Sequence, residues 1–371
     1  MMAYLRDYLV PQSKSKIKAG DGMQFGEYRF FTSSPIQSKY YHTATYDQPA
    51  LIFGTGGNAS VHYCDEPFAT STDCLVMYGA KGSNLELIYH YLHTNLHLLQ
   101  AGFKGAGLQH ISKEYILDIS IDLPEGNEQN HLLTEIRIID SLINARHKQL
   151  SKLDELVKSR FIELFGDPYI NDKNWMVDTL GNYMTTLTDF SANGSYELLD
   201  SHVVMYDEPN YAIMVRTTDL ESGDLSSGVK YIDESAYELL SKSKLFGGEL
   251  IMNKIGSAGK IYIMPYIDRP ASLGRNAFMF RFDNRLNMKY LYFLLTSDYG
   301  TKEIQQYVRG AVTQTITKES TRAIKIIVPP IELQNQFATF VEQTDKSKFE
   351  IQKSLEKLET LKKALMQKYF G

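Results

Sequence analysis

Two stretches of this sequence place apolar residues at alternating steps of three and four positions. The first runs from Leu132 to Leu164 without an internal proline or glycine, and the second, from Phe337 to Tyr369, keeps the same register. Such spacing predicts long helices over 128–166 and 332–371, with narrow apolar seams that suit pairing with another helix. The seam positions expected to pair are Ile136, Ile143, Leu150, Leu153, Val157, Val341, Ile351, Leu355, Leu358 and Leu365.

Shorter patterns between these runs predict mixed strands and helices. Apolar segments that run into glycine turns, at 50–53 and 249–252, indicate strands, as do 73–77 and 277–282. Residues 85–91 and 288–295 indicate short helices. Residues 116–121 and 323–328 are expected to be strands that stop at a proline. Pro168 is expected to end the first long helix.

The sequence is duplicated. Leu150, Leu153 and Leu156 recur 205 positions later as leucines, and Phe165-Gly166 recurs as Phe370-Gly371. Two long copies indicate a duplicated domain, whereas a solenoid needs several short ones. Two related lobes can hold two similar ligands or two parts of one ligand.

The offset between the copies changes along the chain. It falls to about 200 near the glycine turns, where Gly56 is matched with Gly256. Leu5 and Tyr8 are matched with Leu180 and Tyr183. The extra length of the second copy is expected to be loop inserted between about 183 and 250.

Composition narrows the class of protein. The chain has 371 residues, 43% of them hydrophobic and 22% charged, as expected for about two globular domains. No apolar run is long enough to span a membrane, and residues 1–16 lack the pattern of a secretory signal, which favours a cytoplasmic protein. The cysteines, Cys64 and Cys74, fit no metal spacing and indicate reduced thiols. The net charge of −5 means that any polyanion site depends on local clusters of lysine and arginine.

The glycine turns raise the possibility of cofactor binding. The segment 53–56 superficially resembles the glycine loop of an S-adenosylmethionine methyltransferase, and 256–260 resembles the end of a phosphate-binding loop. Such loops should lead into a helix, but residues 60–64 indicate a strand, and the second segment lacks the first glycine and the Ser/Thr of its motif. Tight hairpins, or a close approach of the backbone to a ligand such as nucleic acid, explain these turns better.

Basic, aromatic and small polar residues gather near corresponding loops of the two copies. Such mixtures, in a chain with 25 tyrosines, suit a wet interface in which phosphates position the partner and base edges specify it. The candidate DNA-binding residues are Lys39, Tyr41, Thr55, Gly56, Gly57, Asn58, Ser60, Lys81, Lys104 and Gln109 in the first copy. In the second copy they are Arg216, Thr217, Lys254, Ser257, Lys260, Arg275, Arg309 and Gln314.

The helix ends carry a family resemblance. Residues 151–167 (SKLDELVKSRFIELFGD) resemble the central conserved region of the specificity (S) subunits of type I restriction-modification enzymes, and residues 355–371 resemble the distal one. The segments 247–251 and 256–260 resemble the strand and turn of their target recognition domains. Gln314 and Pro329 resemble the end of such a domain.

The resemblance implies an α+β fold of two tandem homologous mixed α/β recognition domains. Each is followed by a long helix, and the two helices form an antiparallel coiled coil with pseudo-twofold symmetry. The implied boundaries are 1–127 for an abbreviated first recognition domain, 128–166 for the central helix, 167–331 for the second domain and 332–371 for the distal helix.

The resemblance also implies a function. An S subunit has no catalytic site; its two domains read the halves of a split target in double-stranded DNA, and its helices set their separation. Methyltransferase (M) subunits dock on the helices, and the restriction (R) subunit joins through them. S-adenosylmethionine would be bound by the M subunit, and ATP and magnesium by the R subunit. Two other classes stay open, a stand-alone S-adenosylmethionine-dependent DNA methyltransferase and a coiled-coil adaptor that binds only protein.

Overall fold

The computed structural model describes residues 3–105, 107 and 109–371. Packing divides the chain into two compact units, Met1–Gln149 with Glu350–Gly371, and Leu150–Phe349. Two long helices, α4 (Asn127–Phe165) and α11 (Ile331–Phe370), each contribute residues to both units. We call residues 3–126 of the first unit, as far as they are described, the first lobe, and residues 166–330 of the second unit the second lobe.

The first lobe is built from short strands followed by short helices. The strands are β1 (Ala3–Tyr4), β2 (Leu9–Pro11), β3 (Tyr28–Phe31), β4 (Lys39–Tyr41), β5 (Ala50–Gly54), β6 (Val61–Cys64), β7 (Phe68–Thr70), β8 (Cys74–Gly79) and β9 (Ser120–Ile121). The helices are α1 (Leu85–Thr94), α2 (Leu96–Gln100) and α3 (Lys113–Leu117).

The second lobe has a longer series of elements. Its strands are β10 (Met176–Thr179), β11 (Met184–Asp189), β12 (Ala212–Val215), β13 (Lys230–Ile232), β14 (Lys244–Leu245), β15 (Leu250–Asn253), β16 (Ile255–Gly256), β17 (Ile261–Ile263), β18 (Ala271–Leu273), β19 (Ala277–Phe282), β20 (Gln314–Thr315) and β21 (Lys325–Val328). Its helices are α5 (Tyr196–His202), α6 (Thr217–Ser222), α7 (Glu234–Leu239), α8 (Met288–Thr296), α9 (Asp298–Gln305) and α10 (Lys318–Arg322).

The two lobes share one topology. An antiparallel sheet has the order β2-β8-β5-β6 in the first lobe and β11-β19-β15-β17 in the second. A second sheet contains one parallel pair, β3 with β7 in one lobe and β12 with β18 in the other. A two-stranded antiparallel sheet, β1 with β9 or β10 with β21, completes each lobe. The structure therefore confirms the duplication expected from the sequence repeat.

Hydrophobic packing holds α1 in the first lobe, and α8 in the second, against one face of the antiparallel sheet. In the first lobe, Leu51 and Phe53 of β5 pack in one core with Ile88 and Leu92 of α1. In the second, Leu250 of β15 belongs to the core that contains residues of α8. The central strands β5 and β15 are buried along their whole length, which is typical of strands that are covered on both faces of a sheet.

Two expectations about local structure were wrong. Of the strand expected over 116–121 only Ser120–Ile121 forms, as β9, and residues 116 and 117 belong to α3, because the Ser112 hydroxyl accepts a hydrogen bond from the Tyr115 amide and caps a helix there. The Thr317 hydroxyl caps α10 in the same way at Ser320. The segment between 183 and 250 is not an inserted loop, since it forms β12 to β14 and α5 to α7. Strands β12 and β13 have counterparts in β3 and β4 of the first lobe.

The long helices run antiparallel within each unit. In the first unit, Lys362 of α11 bonds to Asp140 of α4 across 2.6 Å, and Ile136 packs in one cluster with Met366 and Phe370. In the second unit, Lys348 pairs with Asp154 across 2.5 Å. The two residue numbers have the same sum in both ion pairs, as expected for two helices that run antiparallel in one register. The antiparallel pairing expected from the heptads is thus confirmed inside each unit.

The seam is apolar at its ends and partly polar between them. Ile136, Val157, Val341 and Leu355 are buried. The remaining seam positions are half-buried: Ile143, Leu150, Leu153, Ile351, Leu358 and Leu365. The ion pairs of Lys348 and Lys362 occupy seam positions that break the apolar pattern, and polar seam positions specify register at a cost in stability.

A thiol cross-link tests the alignment of the helices in the first unit. Asp140→Cys with Lys362→Cys should be joined efficiently by a short bifunctional maleimide and recovered as one linked peptide pair by mass spectrometry. Asp140→Cys with Gln352→Cys is the control, since ten helical residues move the thiol about 15 Å along the axis. Cys64 and Cys74 are buried and should not compete. Equal yields from both variants would contradict the alignment.

Candidate DNA interface

Backbone pairing brings two loops of the first lobe together. In the turn that follows β5, Gly56 bridges to His110, and His110 also pairs with Lys104. The amides of Lys104 and His110 each donate to the carbonyl of the other residue across 3.0 Å. The His110 ring also lies 3.1 Å from the Thr55 carbonyl through Nδ1. We call this pair of loops the reading ribbon of the first lobe.

The second lobe has the same ribbon. Strand β16 pairs with β20, placing Gly256 opposite Gln314. The amides and carbonyls of Arg309 and Thr315 exchange hydrogen bonds of 2.9 and 2.8 Å. These residues lie 205 positions after Lys104 and His110. The duplication therefore extends to the main-chain geometry of the loops, and not only to the sheets beneath them.

Hydrogen bonds fix which turn residues correspond. The Ile111 amide donates to the Thr55 carbonyl across 3.2 Å, and the Ile316 amide donates to the Lys254 carbonyl across 3.1 Å. Thr55 is thus the counterpart of Lys254, which makes Gly57 the counterpart of Gly256. Their φ angles of +83° and +84° agree. The expected match of Gly56 with Gly256 was wrong by one residue, because glycines are frequent here and only a left-handed backbone requires one.

Some candidate residues hold the first turn, and others form its tip. Thr55 and Ser60 are buried, and their hydroxyls donate to the carbonyls of Asp73 at 2.9 Å and Ser33 at 3.2 Å. Gly57 and Asn58 are exposed at the tip. Ser33 was not among the candidate residues, and small polar residues after a short strand give no sequence signal for that role.

Arg309 and Gln314 present side chains from the second ribbon to the surface. Both are exposed. The Arg309 guanidinium donates to the carbonyls of Gln306 and Val308, and no carboxylate of a described residue forms an ion pair with it. Lys104 and Gln109 are exposed at the matching positions of the first lobe. A cation and an amide therefore recur on both ribbons.

The other cations of the second lobe have acidic partners. Arg216, at the end of β12 and next to Thr217, bonds to Asp219 across 2.6 Å. Lys260 pairs with Glu221, and Arg275 lies 3.2 Å from Asp200. Ser257 is exposed in the same turn as Lys260. The pairs of Lys260 and Arg275 are exposed at both partners and weak, so these two cations can exchange a carboxylate for a phosphate at small cost. Arg216 is held more firmly because Asp219 is buried.

Lys254 differs because it is largely buried. Its ammonium donates to Asp189 across 2.8 Å, and its side chain is 14% exposed. Charge reversal at Lys254 would therefore break an internal ion pair as well as any contact with DNA. Reversal at Arg309 is the cleaner probe of the surface.

Three first-lobe candidates lie away from the ribbon's tip. Lys39 and Tyr41 lie on β4, the edge strand of the second sheet, where the Lys39 ammonium donates to the Ala19 carbonyl across 2.8 Å. Lys81 follows β8, whereas the turn lies where β8 begins, because Gly54 pairs with Cys74. Lys81 is thus at the opposite end of the sheet from the turn.

The glycine turns have the shape of hairpins. The first leads into strand β6 and the second into β17, so neither opens a helix that could bind a phosphate at its N-terminus. Among residues 3–105, 107 and 109–371, no three His, Cys, Asp or Glu side chains form a group that could hold a metal ion. Within that same part of the chain, no helix has the length and hydropathy needed to cross a membrane.

Fold and site together define a class of protein: a two-lobed recognition protein whose duplicated α/β lobes present matching loops and whose long helices pair in antiparallel fashion. The sequence profile of the type I restriction modification DNA specificity domain matches residues 10–155 and 188–363. The chain belongs to this family, and it is a DNA specificity subunit of a type I restriction-modification system. In these systems this subunit is the non-catalytic component.

Two individual proteins that the chain resembles are also type I specificity subunits. The chain is 24% identical over 326 residues to the type I restriction enzyme MjaVIII specificity subunit of Methanocaldococcus jannaschii, covering 85% of this chain and 76% of the relative. It is 31% identical over 148 residues to the putative MjaX specificity subunit of the same organism, covering 38% and 34%.

Solved structures show the same fold. The crystal structure of the type I restriction-modification S subunit from M. genitalium superposes with a TM-score of 0.65 at 15% identity, covering 100% of this chain and 96% of the other. A chain from a study of complex assembly and conformational transition of the type I R-M system gives 0.56 at 13% identity, with coverages of 100% and 97%.

Proposed function

We propose that the two lobes read the two halves of a split DNA target and that the paired helices set the distance between the halves. The observation that carries this proposal is the repeated ribbon, in which Lys104 and Arg309 occupy equivalent positions. Equivalent cations suit equivalent phosphates on the two half-sites, since backbone contacts fix the position of a protein on a duplex. Helices of 39 and 40 residues are each roughly 60 Å long, more than one turn of B-DNA.

The helices also offer surfaces for catalytic partners. Leu156 and Leu361, which are 205 positions apart, are 49% and 55% exposed although both lie in long apolar-patterned helices. Exposed leucines at duplicated positions suit two equivalent M subunits, and the R subunit would join through them. S-adenosylmethionine would then be bound by the M subunit, and ATP and magnesium by the R subunit. We expect the complex to act in the cytoplasm, where prokaryotic DNA lies.

Selection from a DNA library tests this function. The full chain, incubated with random duplexes, should enrich a motif of two short blocks separated by a spacer of constant length. Arg309→Glu should weaken binding to all sequences and lower the slope of log affinity against log salt by about one, because one phosphate contact is lost. Lys346→Glu on α11 is the control, with the same change of charge at an exposed residue away from the ribbon.

Two outcomes would count against the proposal. Enrichment of no bipartite motif would leave the protein-only adaptor as the better explanation. Equal losses in the Arg309→Glu and Lys346→Glu variants would show that only the overall charge matters. The stand-alone methyltransferase requires in addition that the purified chain bind S-adenosylmethionine, which calorimetry measures directly.

A further inference from the structure

A buried ion cluster lies at the base of the second reading ribbon. Asp189, at the end of β11, accepts hydrogen bonds from Lys254 and Lys318, each across 2.8 Å. The carboxylate is 9% exposed, and the two lysine side chains are 14% and 29% exposed. Both ammonium groups also lie about 6 Å from the centre of the Phe278 ring, at 5.8 and 5.9 Å.

The cluster carries a net positive charge in a restrained geometry. Burial alone would raise the pKa of Asp189, but the bonds from the two lysines outweigh it and hold that pKa below its ordinary value. Asp189 is therefore ionised at neutral pH, and two ammonium groups share one carboxylate. An ammonium group has three donors and no acceptor, so donors remain on both lysines after Asp189 is satisfied.

The cluster adjoins the ribbon and opens towards the surface. Lys254 immediately precedes β16, and Lys318 begins α10 shortly after β20. Lys254 also lines a surface cleft of about 270 Å³, together with Tyr196 and Arg275. A group bound in this cleft can therefore approach Lys254, and Lys318 is itself 29% exposed.

The first lobe lacks this cluster. Thr55 occupies the position of Lys254, and its hydroxyl donates to a backbone carbonyl. Lys113 occupies the position of Lys318 and pairs only with its neighbour Glu114, at 3.6 Å. Strand β2 ends at Pro11 opposite Met77, two pairs short of the point where β11 places Asp189 opposite Phe278.

Residues shared by the two lobes and residues that differ between them suit different tasks. The exposed cations Lys104 and Arg309 recur and suit phosphates, which every sequence presents. The buried cluster occurs in the second lobe only, although the two lobes share the same topology. Restrained and desolvated donors discriminate strongly between bound groups, because a group without matching acceptors leaves them unpaired. We infer that the second lobe reads the acceptor edge of a guanine through Lys254 and Lys318, with Asp189 as the residue that positions both.

This inference rests on the proposed function. In the major groove a guanine presents two adjacent acceptors, O6 and N7, and lysine is a known reader of them. Adenine places an amino donor beside its N7, which meets the ammonium donors unfavourably. The expected specificity is therefore for a guanine at one position of the half-site that the second lobe reads.

The test begins with the motif that the full chain selects. Replacing the critical guanine by 7-deazaguanine, which lacks the N7 acceptor, should weaken binding by the unmodified protein roughly fivefold to a hundredfold. Lys318→Gln should bind the guanine and 7-deazaguanine duplexes almost equally, and Lys318→Arg should retain the preference. Asp189→Asn should lose the preference while both lysines remain, which a thermal melt distinguishes from loss of the fold.

Lys113→Gln is the matched control, because it changes the duplicated position in the lobe without the cluster. It should leave the preference in the second half-site unchanged. If Lys254→Gln and Lys318→Gln weaken every sequence equally and lower the salt slope, the cluster binds phosphate and the inference is overturned. Unchanged binding by folded variants also overturns it. Failure of the unmodified chain to select any bipartite motif would instead refute the proposed function.

Discussion

Replacing Phe337 by alanine should lower the free energy of unfolding of the second unit by about 3–5 kcal/mol. The Phe337 side chain is fully buried between the long helices and the lobe, with ring centroids of Phe161 and Phe293 at 5.4 and 5.2 Å. Its removal leaves a cavity that the surrounding rings cannot close. Denaturant titration followed by circular dichroism measures the change.

Phe349→Ala is the control on the same helix. That side chain is 67% exposed, so its truncation should change stability by no more than about 0.5 kcal/mol. If the two variants were equally stable, α11 would not be held against the second lobe by this aromatic cluster. The Phe337→Ala protein should also fail to support methylation in cells, and the control should support it normally.

Exchange of a whole lobe should change half of the target. Replacing residues 1–127 by the recognition domain of another specificity subunit should alter one block of the methylated motif and preserve the other, since distant sites without shared partners act independently. The donor domain must keep an apolar residue at the position of Leu87, which packs with Leu132 and Phe370. Methylome sequencing reads the result.

The reciprocal exchange of residues 167–331 supplies the control, because it should alter only the other block. A change in both blocks after either exchange would show that the lobes do not read DNA separately. An unchanged motif after both exchanges would place recognition outside the lobes.

Periodic and repeated features of this protein could be predicted from its sequence. The long helices follow from heptads, and β19 follows from the apolar run at 277–280 between a turn and a charged loop. The α3 helix could not be separated from a strand by its apolar residues alone; the capping serine at position 112 was the signal. The segments between 183 and 250 show no clear hydrophobic periodicity. Which of their residues are buried depends on contacts with residues far away in sequence.

The candidate interface was predictable only in part. The repeat at 205 positions already marked Lys113 with Lys318, yet its meaning depends on Asp189, which lies 129 residues before Lys318. Lys254 looked like a surface cation because sequence does not reveal a carboxylate partner. Lys81 was expected near the turn. It lies at the far end of the sheet instead, because β5 and β8 run in opposite directions.

The two ribbons consist of hydrogen bonds between main-chain atoms, and this has a consequence for the origin of new specificities. Amides and carbonyls at positions 104, 110, 309 and 315 pair whatever side chains they carry, whereas the left-handed backbone restricts Gly57, Gly105, Gly256, Gly259 and Gly310. Mutations can therefore change the exposed side chains of the ribbons while the backbone hydrogen bonds are retained. A combinatorial library randomised at positions 104, 110, 309 and 315, with these five glycines kept, should consist mainly of folded proteins from which variants with altered DNA specificity can be isolated.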